Sequence, residues 1–243
     1  MLYSDELETA PVFLQIADIL QTEIDNGKFQ PGELLPSEAA LCKRFKNNRY
    51  TIRKSLNRLV QIGLILPQKG IGYLINKKPL EFHYQVTSVT RYSNLIKAMG
   101  RVPRAKIMDQ RKIKPAHVIA DHLKLEGESE VYKLEIVRYA GETPTTWSET
   151  YLPASVFPGL LNKTMAFTSL YAMFEQHYGI IPKRMQSTFQ AVIPTAREAF
   201  HLDISVGTPL IQIESVVCDQ WGQPIELTYA RYRGDICRVS IEF

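Results

Sequence analysis

Residues 37–75 decide the fold of the first third of the chain, and they read SEAALCKRFKNNRYTIRKSLNRLVQIGLILPQKGIGYLI. Ser37 is a favourable first residue for a helix, and the apolar residues after it predict a short helix over 37–46. Asn48 can begin another helix over 49–62, which Gly63 ends. Two short helices joined by a few residues have the geometry of a helix-turn-helix.

The residues on either side complete a winged helix-turn-helix. Upstream, apolar residues recur at helical spacing from Val12 to Ile24 and predict a helix over 11–26. Downstream, residues 64–75 place two apolar strands around a Gln-Lys-Gly tip, which predicts a β-hairpin. A basic hairpin next to a recognition helix is a wing, so the sequence predicts this fold over residues 1–75.

Positive charge is concentrated in the same part of the chain. Residues 36–78 hold ten basic side chains and one acidic one, whereas residues 1–35 hold one basic and seven acidic ones. The rest of the chain is nearly balanced, with 18 basic and 17 acidic residues. A compact basic block is typical of a nucleic-acid-binding face, although charge alone also allows a solvated basic surface.

The basic side chains cluster at the helix end that a recognition helix presents to bases. Arginine can pair bidentately with guanine, and threonine can contact a base or a phosphate. Lys69 at the tip of the wing can enter a minor groove or touch phosphate. The predicted contacts to double-stranded operator DNA are Ser37, Arg49, Tyr50, Thr51, Arg53, Lys54, Lys69 and Gly70.

The rest of the chain predicts a second domain. Residues 76–86 read NKKPLEFHYQV, which predicts a linker that can pair as an extended strand. Over 87–243, strands and a few helices follow one another through hairpin turns. This order predicts an α+β domain built on an antiparallel sheet.

The first 78 residues resemble the DNA-binding domain of the GntR family. The resemblance is carried by PxxxQIADxLxxxIxxGxFxPGxxLPSExxLxxxF, then NRYTIRKSLNRLVQIGLI, then QKGIGYLI. Many members have an arginine directly after the LPSE motif, where it contacts DNA. Ala39 stands there in this chain, so that contact is absent or supplied otherwise.

The second region resembles the effector-binding (UTRA) domain of the HutC subfamily, whose fold is similar to that of chorismate lyase. The matching stretches include RYSNLIKAMG, ETYLP, SLYAMFEQHYGI and GTPLIQIESVVCDQWGQPIELTYARYRGD. NRYT, RYSNL and SETY are most similar to the phosphonate-utilisation repressors of that subfamily. The resemblance implies a cytoplasmic repressor that binds a palindromic operator as a homodimer and responds to a small anionic effector.

The resemblance also implies which residues line the effector pocket. Thr168 and Ser169 at a helix start suit an anion, and Arg138 on a core-facing strand needs an acidic partner or a ligand. Ile136 replaces an arginine of the family's amino-sugar sensors, which argues against a sugar phosphate. The implied pocket residues are Arg91, Tyr92, Ser93, Asn94, Arg138, Glu149, Tyr151, Thr168, Ser169, Glu226 and Tyr232.

Structural roles are the alternative for several of these residues. The three tyrosines can be core or sheet residues, and Glu149 and Glu226 can simply pair with the arginines. An amino acid, a carboxylate or a sugar is the alternative effector.

Other classes of protein find little support in the sequence. The five histidines show no HExxH spacing, no G-x-S-x-G motif occurs, and the three cysteines have no metal-ligand spacing. No apolar run is long enough to cross a membrane, and no signal peptide begins the chain. We therefore expect no catalytic residues, metal or cofactor; a lyase-like enzyme fused to a DNA-binding domain and a protein–protein adaptor are the alternatives.

Overall fold

The structure is a computed structural model that describes residues 10–76, 81–163 and 169–242. The chain divides into two compact units: Met1–Pro79 with Ile204–Thr208, and Leu80–Asp203 with Pro209–Phe243. The main division falls inside the predicted linker 76–86.

The first unit is the predicted winged helix-turn-helix. Its elements are α1 (Val12–Asp25), α2 (Glu38–Phe45), α3 (Arg49–Gln61), β1 (Ile65–Gln68) and β2 (Gly72–Ile75). The two strands pair antiparallel and form the wing. All five elements lie where the sequence predicts them, to within one or two residues at each end.

Side-chain caps fix where α2 and α3 begin. The amide of Ala40 donates to Oγ of Ser37 over 3.2 Å, and the amide of Thr51 donates to Oδ1 of Asn48 over 2.9 Å. These bonds satisfy amides that have no partner inside the helix. The turn between the two helices is therefore set by local hydrogen bonds.

The core of this unit joins the three helices to the wing. The buried residues come from all five elements and from the segment between α1 and α2, and the cluster consists of Ile16, Ala17, Leu20, Ile24, Leu35, Leu41, Ile52, Leu56, Leu59, Ile65 and Ile75. Because Ile65 and Ile75 belong to this cluster, the wing is packed against the helices and holds a fixed position beside α3.

The second unit is an α+β domain. Its elements are β3 (Phe82–Gln85), α4 (Tyr92–Ala98), β4 (Pro103–Ile113), α5 (His117–Leu123), β5 (Val131–Ala140), β6 (Thr143–Pro153), α6 (Leu160–Lys163), α7 (Leu170–Tyr178), β7 (Lys183–Val192), α8 (Ala196–Leu202), β8 (Leu210–Cys218), β9 (Pro224–Arg233) and β10 (Cys237–Ser240). Six strands form an antiparallel sheet of order β4-β5-β6-β9-β8-β7, and β3 pairs with β10 in a two-stranded parallel sheet. The predicted fold class is confirmed, and the predicted linker contains β3.

The two faces of the large sheet are covered by different helices. On one face, Leu134 and Ile136 of β5 pack in a cluster with Phe174 of α7. On the other face, Leu227 of β9 packs with Leu123 of α5, and Trp147 of β6 stacks on His201 of α8. We call these the α7 face and the α8 face.

We expect Leu20→Ala to destabilise the winged unit by about 2–5 kcal/mol, because Leu20 is fully buried and its loss leaves a cavity. The neighbouring Ile19 is 45% exposed, so Ile19→Ala is a matched control with a much smaller effect. Urea unfolding followed by circular dichroism measures both. Equal losses of stability would contradict the assignment of this core.

Candidate functional site

The start of α3 presents two adjacent arginines. The side chains of Arg49 and Arg53 are 69% and 56% exposed, and the Nε of each donates to the Glu38 carboxylate, over 2.5 and 2.9 Å. The hydrogen bond from Arg53, and then that from Arg49, holds the pKa of Glu38 below its ordinary value. Glu38 therefore positions two exposed guanidinium groups side by side.

The other residues predicted near this end have different surroundings. Tyr50 is 76% exposed. Nζ of Lys54 lies 4.0 Å from the centroid of the Phe13 ring, an arrangement typical of a cation–π contact. Ser37 and Thr51 both take part in the helix caps, and Thr51 Oγ1 also lies 3.1 Å from Asn48 Oδ1. Their side chains thus have a structural role whatever else they bind.

The tip of the wing is exposed. Lys69 and Gly70 lie between β1 and β2, and both are exposed. Gly70 has φ of +78°, a conformation that side chains rarely adopt, so a glycine is favoured at this turn.

A cavity lies on the α7 face of the sheet and encloses about 630 Å³, including its open mouth. We call it the central cavity. The residues that line it come from the sheet, from the starts of α4 and α7, and from β3; they are Tyr84, Thr90, Arg91, Tyr92, Ser93, Arg138, Thr146, Ser148, Ser169, Leu170, Tyr171, Arg184, Ile213, Ser215, Glu226, Thr228, Ala230 and Tyr232.

Strand register brings the sheet residues of the cavity together. Arg138 of β5 lies opposite Thr146 of β6, which lies opposite Tyr232 of β9. Further along, Glu226 of β9 lies opposite Val217 of β8, which lies opposite Arg184 of β7. Residues paired across neighbouring strands point to the same face, so these two rows place Arg138, Glu226 and Arg184 in one wall.

Three arginines line the cavity, and each is held differently. Arg91 forms an ion pair with Glu175. The guanidinium carbon of Arg138 lies 5.7 Å from the centroid of the Tyr92 ring. Arg184 donates to the hydroxyl of Tyr84 and to a backbone carbonyl, each over 2.9 Å. The cavity wall thus holds three guanidinium groups, one of which is paired with a carboxylate.

Glu226 is the acidic side chain in this wall, and it is 4% exposed. Burial raises the pKa of its carboxyl from 4.5 to about 7, although Arg138 and Arg184 act in the opposite direction. Its Oε2 is buried and has no hydrogen-bond partner, and the same is true of Nε of Arg184. Buried polar atoms are usually paired, so two unpaired ones in the same wall are unusual.

Most of the predicted pocket residues meet at this cavity, and some do not. Those that line it are Arg91, Tyr92, Ser93, Arg138, Ser169, Glu226 and Tyr232. Asn94 is exposed and does not line the cavity. Thr168 lies outside the described residues.

Glu149 and Tyr151 do not reach the cavity either, because they point to the α8 face. Both are one position out of phase with Thr146 and Ser148, which line the cavity from the same strand. Glu149 instead pairs with Lys133 over 2.9 Å, and its Oε2 also lies 3.1 Å from the Tyr151 hydroxyl. The suggestion that Glu149 pairs with Arg91 or Arg138 is therefore wrong.

The sequence did not point to three large side chains that also line the cavity: Arg184, Tyr84 and Tyr171. Arg184 comes just after Lys183 on an edge strand, where basic residues are common and usually solvated. Only the register of β7 shows that Arg184, and not Lys183, points to the α7 face. That register depends on strand pairing in the folded domain. Tyr84 lay in the predicted linker.

Neither a metal centre nor a membrane span is found in the parts of the chain described. Among residues 10–76, 81–163 and 169–242, no three His, Cys, Asp or Glu side chains are grouped so as to hold a metal ion. No helix within these ranges is long and apolar enough to cross a bilayer.

Comparison with known proteins assigns both units. Residues 13–75 match the family described as bacterial regulatory proteins, gntR family, and residues 98–238 match the UTRA domain. The chain belongs to the GntR family of regulators that carry a UTRA domain. It is therefore a DNA-binding transcriptional repressor of this type and not an enzyme.

Individual relatives agree with this family. The HTH-type transcriptional repressor NagR of Bacillus subtilis is 30% identical over 93% of this chain and 91% of its own length. A probable fructoselysine utilization operon transcriptional repressor of Escherichia coli O157:H7 is 25% identical over 99% of this chain and 96% of its own. The crystal structure of PhnF from Mycobacterium smegmatis superposes with a TM-score of 0.63, at 25% identity, covering 94% of this chain and 98% of that one.

The raised pKa of Glu226 predicts a pH-dependent stability. The folded state binds this proton more tightly than the unfolded chain does, so the contribution favours folding at low pH and is lost as the pH rises from about 4.5 to about 7. We expect Glu226→Gln to remove this loss, which amounts to at most about 3 kcal/mol. Urea unfolding at pH 5 and pH 8 measures it.

Glu149→Gln is the matched control, because Glu149 is a carboxylate on the α8 face whose pKa is lowered. The ionised Glu149 carboxylate stabilises the folded state, and this stabilisation is lost as the pH falls. We therefore expect Glu149→Gln to gain no stability at pH 8 relative to the wild type. If the free energy of unfolding changes equally between pH 5 and pH 8 in Glu226→Gln and in the wild type, the ionisation assigned to Glu226 is wrong.

Proposed function

We propose that this repressor binds operator DNA through the start of α3 and the tip of the wing, and that a small anionic ligand in the central cavity controls this binding. The ligand class that we favour is a phosphonate or a phosphorylated metabolite. We also propose that the chain acts as a homodimer on a palindromic operator, since two-fold operators are read by two-fold proteins.

The DNA-binding part of the proposal is supported by the exposed guanidinium pair of Arg49 and Arg53. Arginine offers planar donors that match guanine edges and phosphate oxygens. Tyr50 is exposed beside them, and Lys69 and Gly70 are exposed at the tip of the wing. Lys54, whose ammonium group lies over the Phe13 ring, is proposed as a further DNA contact.

The observation that carries the ligand class is the set of three arginines around one cavity, together with Ser93, Ser169 and Ser215. Guanidinium and hydroxyl groups are the donors that phosphoryl and phosphonyl oxygens accept. A neutral sugar does not need three cations. One relative is named for fructoselysine utilization, so a sugar joined to an amino acid is the second candidate.

We expect Arg49→Ala and Arg53→Ala each to weaken operator binding by roughly 1–3 kcal/mol, because each removes a donor from the surface that meets the bases. Arg58→Ala is the matched control, since Arg58 is exposed in the last turn of the same helix. Fluorescence anisotropy with the DNA upstream of the protein's own gene, at one fixed salt concentration, measures the affinities. Wild-type affinity in both Arg49 and Arg53 variants would contradict the assignment.

We expect a thermal-shift screen of phosphonates, sugar phosphates, amino acids and neutral sugars to select the phosphorus oxyanions. A ligand at 100 times its dissociation constant stabilises the folded state by about 2.7 kcal/mol. Arg138→Ala is expected to abolish the shift and keep operator binding. Arg104 is exposed on the edge strand β4, so Arg104→Ala is the matched control. It is expected to keep both the thermal shift and operator binding.

If a neutral sugar gives the only shift, or if Arg138→Ala keeps the shift, the anionic ligand is the wrong class. The assignment as a DNA-binding repressor does not depend on this result.

A further inference from the structure

Within the described part of the chain, two atoms in the wall of the central cavity are buried without a hydrogen-bond partner: Oε2 of Glu226 and Nε of Arg184. One further atom of this kind, Oε2 of Glu135, belongs to the α8 face and lies 2.8 Å from the guanidinium of Arg197. Among the described residues, neither atom of the cavity lies within ion-pair distance of an opposite charge, although Arg138 and Arg184 act on Glu226 from farther away. Leaving a buried charged group unsatisfied is costly, so both call for a ligand atom.

The two atoms need opposite partners. The N–H of Arg184 donates, so it needs an acceptor such as an oxyanion. The ionised carboxylate of Glu226 accepts, so it needs a donor; a neighbouring ammonium group supplies one and favours this ionised form, whereas a bare oxyanion does neither. A purely anionic ligand would satisfy one atom and would place its negative charge beside the other.

The distance between them suits a short bifunctional molecule. Glu226 and Arg184 lie in one row of the sheet with Val217 of β8 between them. Neighbouring strands are about 4.8 Å apart, so the two Cα atoms are roughly 10 Å apart, and both side chains extend into the same cavity. A ligand with its two polar groups a few bonds apart can reach both.

The net charge of the cavity wall also fits a ligand that carries both an anionic and a cationic group. Arg91 is paired with Glu175, which leaves Arg138 and Arg184 facing a single carboxylate, Glu226. The wall thus carries about one net positive charge when Glu226 is ionised. A phosphoryl group carries about −1.5 to −2 at pH 7, so a ligand that also carries an ammonium group has nearly the complementary charge.

We propose that the ligand of the central cavity is a zwitterion that carries a primary ammonium group together with its phosphoryl or phosphonyl oxyanion. Glu226 binds the ammonium group, and Arg184 binds the oxyanion. The inference rests on the proposed function, which supplies the anionic half, and adds the cationic half and the residue that selects it.

Three matched probes test the cationic half: phosphoethanolamine, ethylene glycol monophosphate and ethyl phosphate. They share one oxyanion and differ in ending in an ammonium group, a hydroxyl group or a methyl group. Isothermal titration calorimetry on the full chain at pH 7 is expected to give at least tenfold tighter binding of phosphoethanolamine than of either other probe. Aminoethylphosphonate and ethylphosphonate repeat the comparison for the phosphonates.

The variant that tests the residue is Glu226→Gln, which keeps the shape of the side chain and removes its charge. We expect it to lose the preference for phosphoethanolamine while ethyl phosphate binds as well as before, or better. Glu149→Gln is the matched control, because Glu149 points to the α8 face, and it is expected to keep the preference in full. Thermal melting of each variant shows that it is folded.

The outcomes separate this inference from the proposed function. If all three probes bind equally well, or if the hydroxyl probe matches the ammonium probe, the zwitterion is wrong and the anionic ligand stands. If Glu226→Gln keeps the preference, the ammonium group does not bind at Glu226 and the inference is overturned. If no probe of either series binds, the proposed ligand class fails, and the inference fails with it.

Discussion

Each strand of the six-stranded sheet directs successive side chains to opposite faces, and the register between strands carries this alternation across the whole sheet. The polar residues that the sheet contributes to the central cavity depend on this alternation. Arg138, Glu226 and Arg184 are distant in sequence, yet they share one wall because their rows have the same phase. A shift of one residue in one strand would exchange its cavity residues for those of the α8 face.

The same alternation explains how far the sequence could predict this protein. In the winged unit, Ser37 and Asn48 fix helix starts through bonds to amides three residues away, and the caps are visible in the sequence. The resemblance to a family pointed to seven residues that line the cavity, and also to Glu149 and Tyr151, which lie on the α8 face. It did not point to Arg184, because the phase of each strand is not visible in the sequence. Local bonds can be predicted from local sequence, whereas the wall of a sheet cavity requires the register of every strand.

Carboxylates hold arginines in both units. Glu38 binds Arg49 and Arg53 at the start of α3, and Glu175 binds Arg91, which lines the cavity. An anion that approaches such an arginine must share it with, or take it from, the carboxylate. This competition lowers the affinity for any single anion, and it favours partners that offer several contacts at once, as a DNA site or a bifunctional ligand does.

The pairing of β3 with β10 ties the first strand of the second unit to its last one. Tyr84 of β3 accepts a hydrogen bond from Arg184 and packs on Tyr232, with ring centroids 4.8 Å apart, so this strand forms part of the cavity wall. The cavity wall therefore depends on β10, because β10 holds β3 in place. A chain that stops before Cys237 would leave β3 without its strand partner, while the winged unit would keep its own core. Such a truncated repressor would still bind its operator, but the ligand would no longer control this binding.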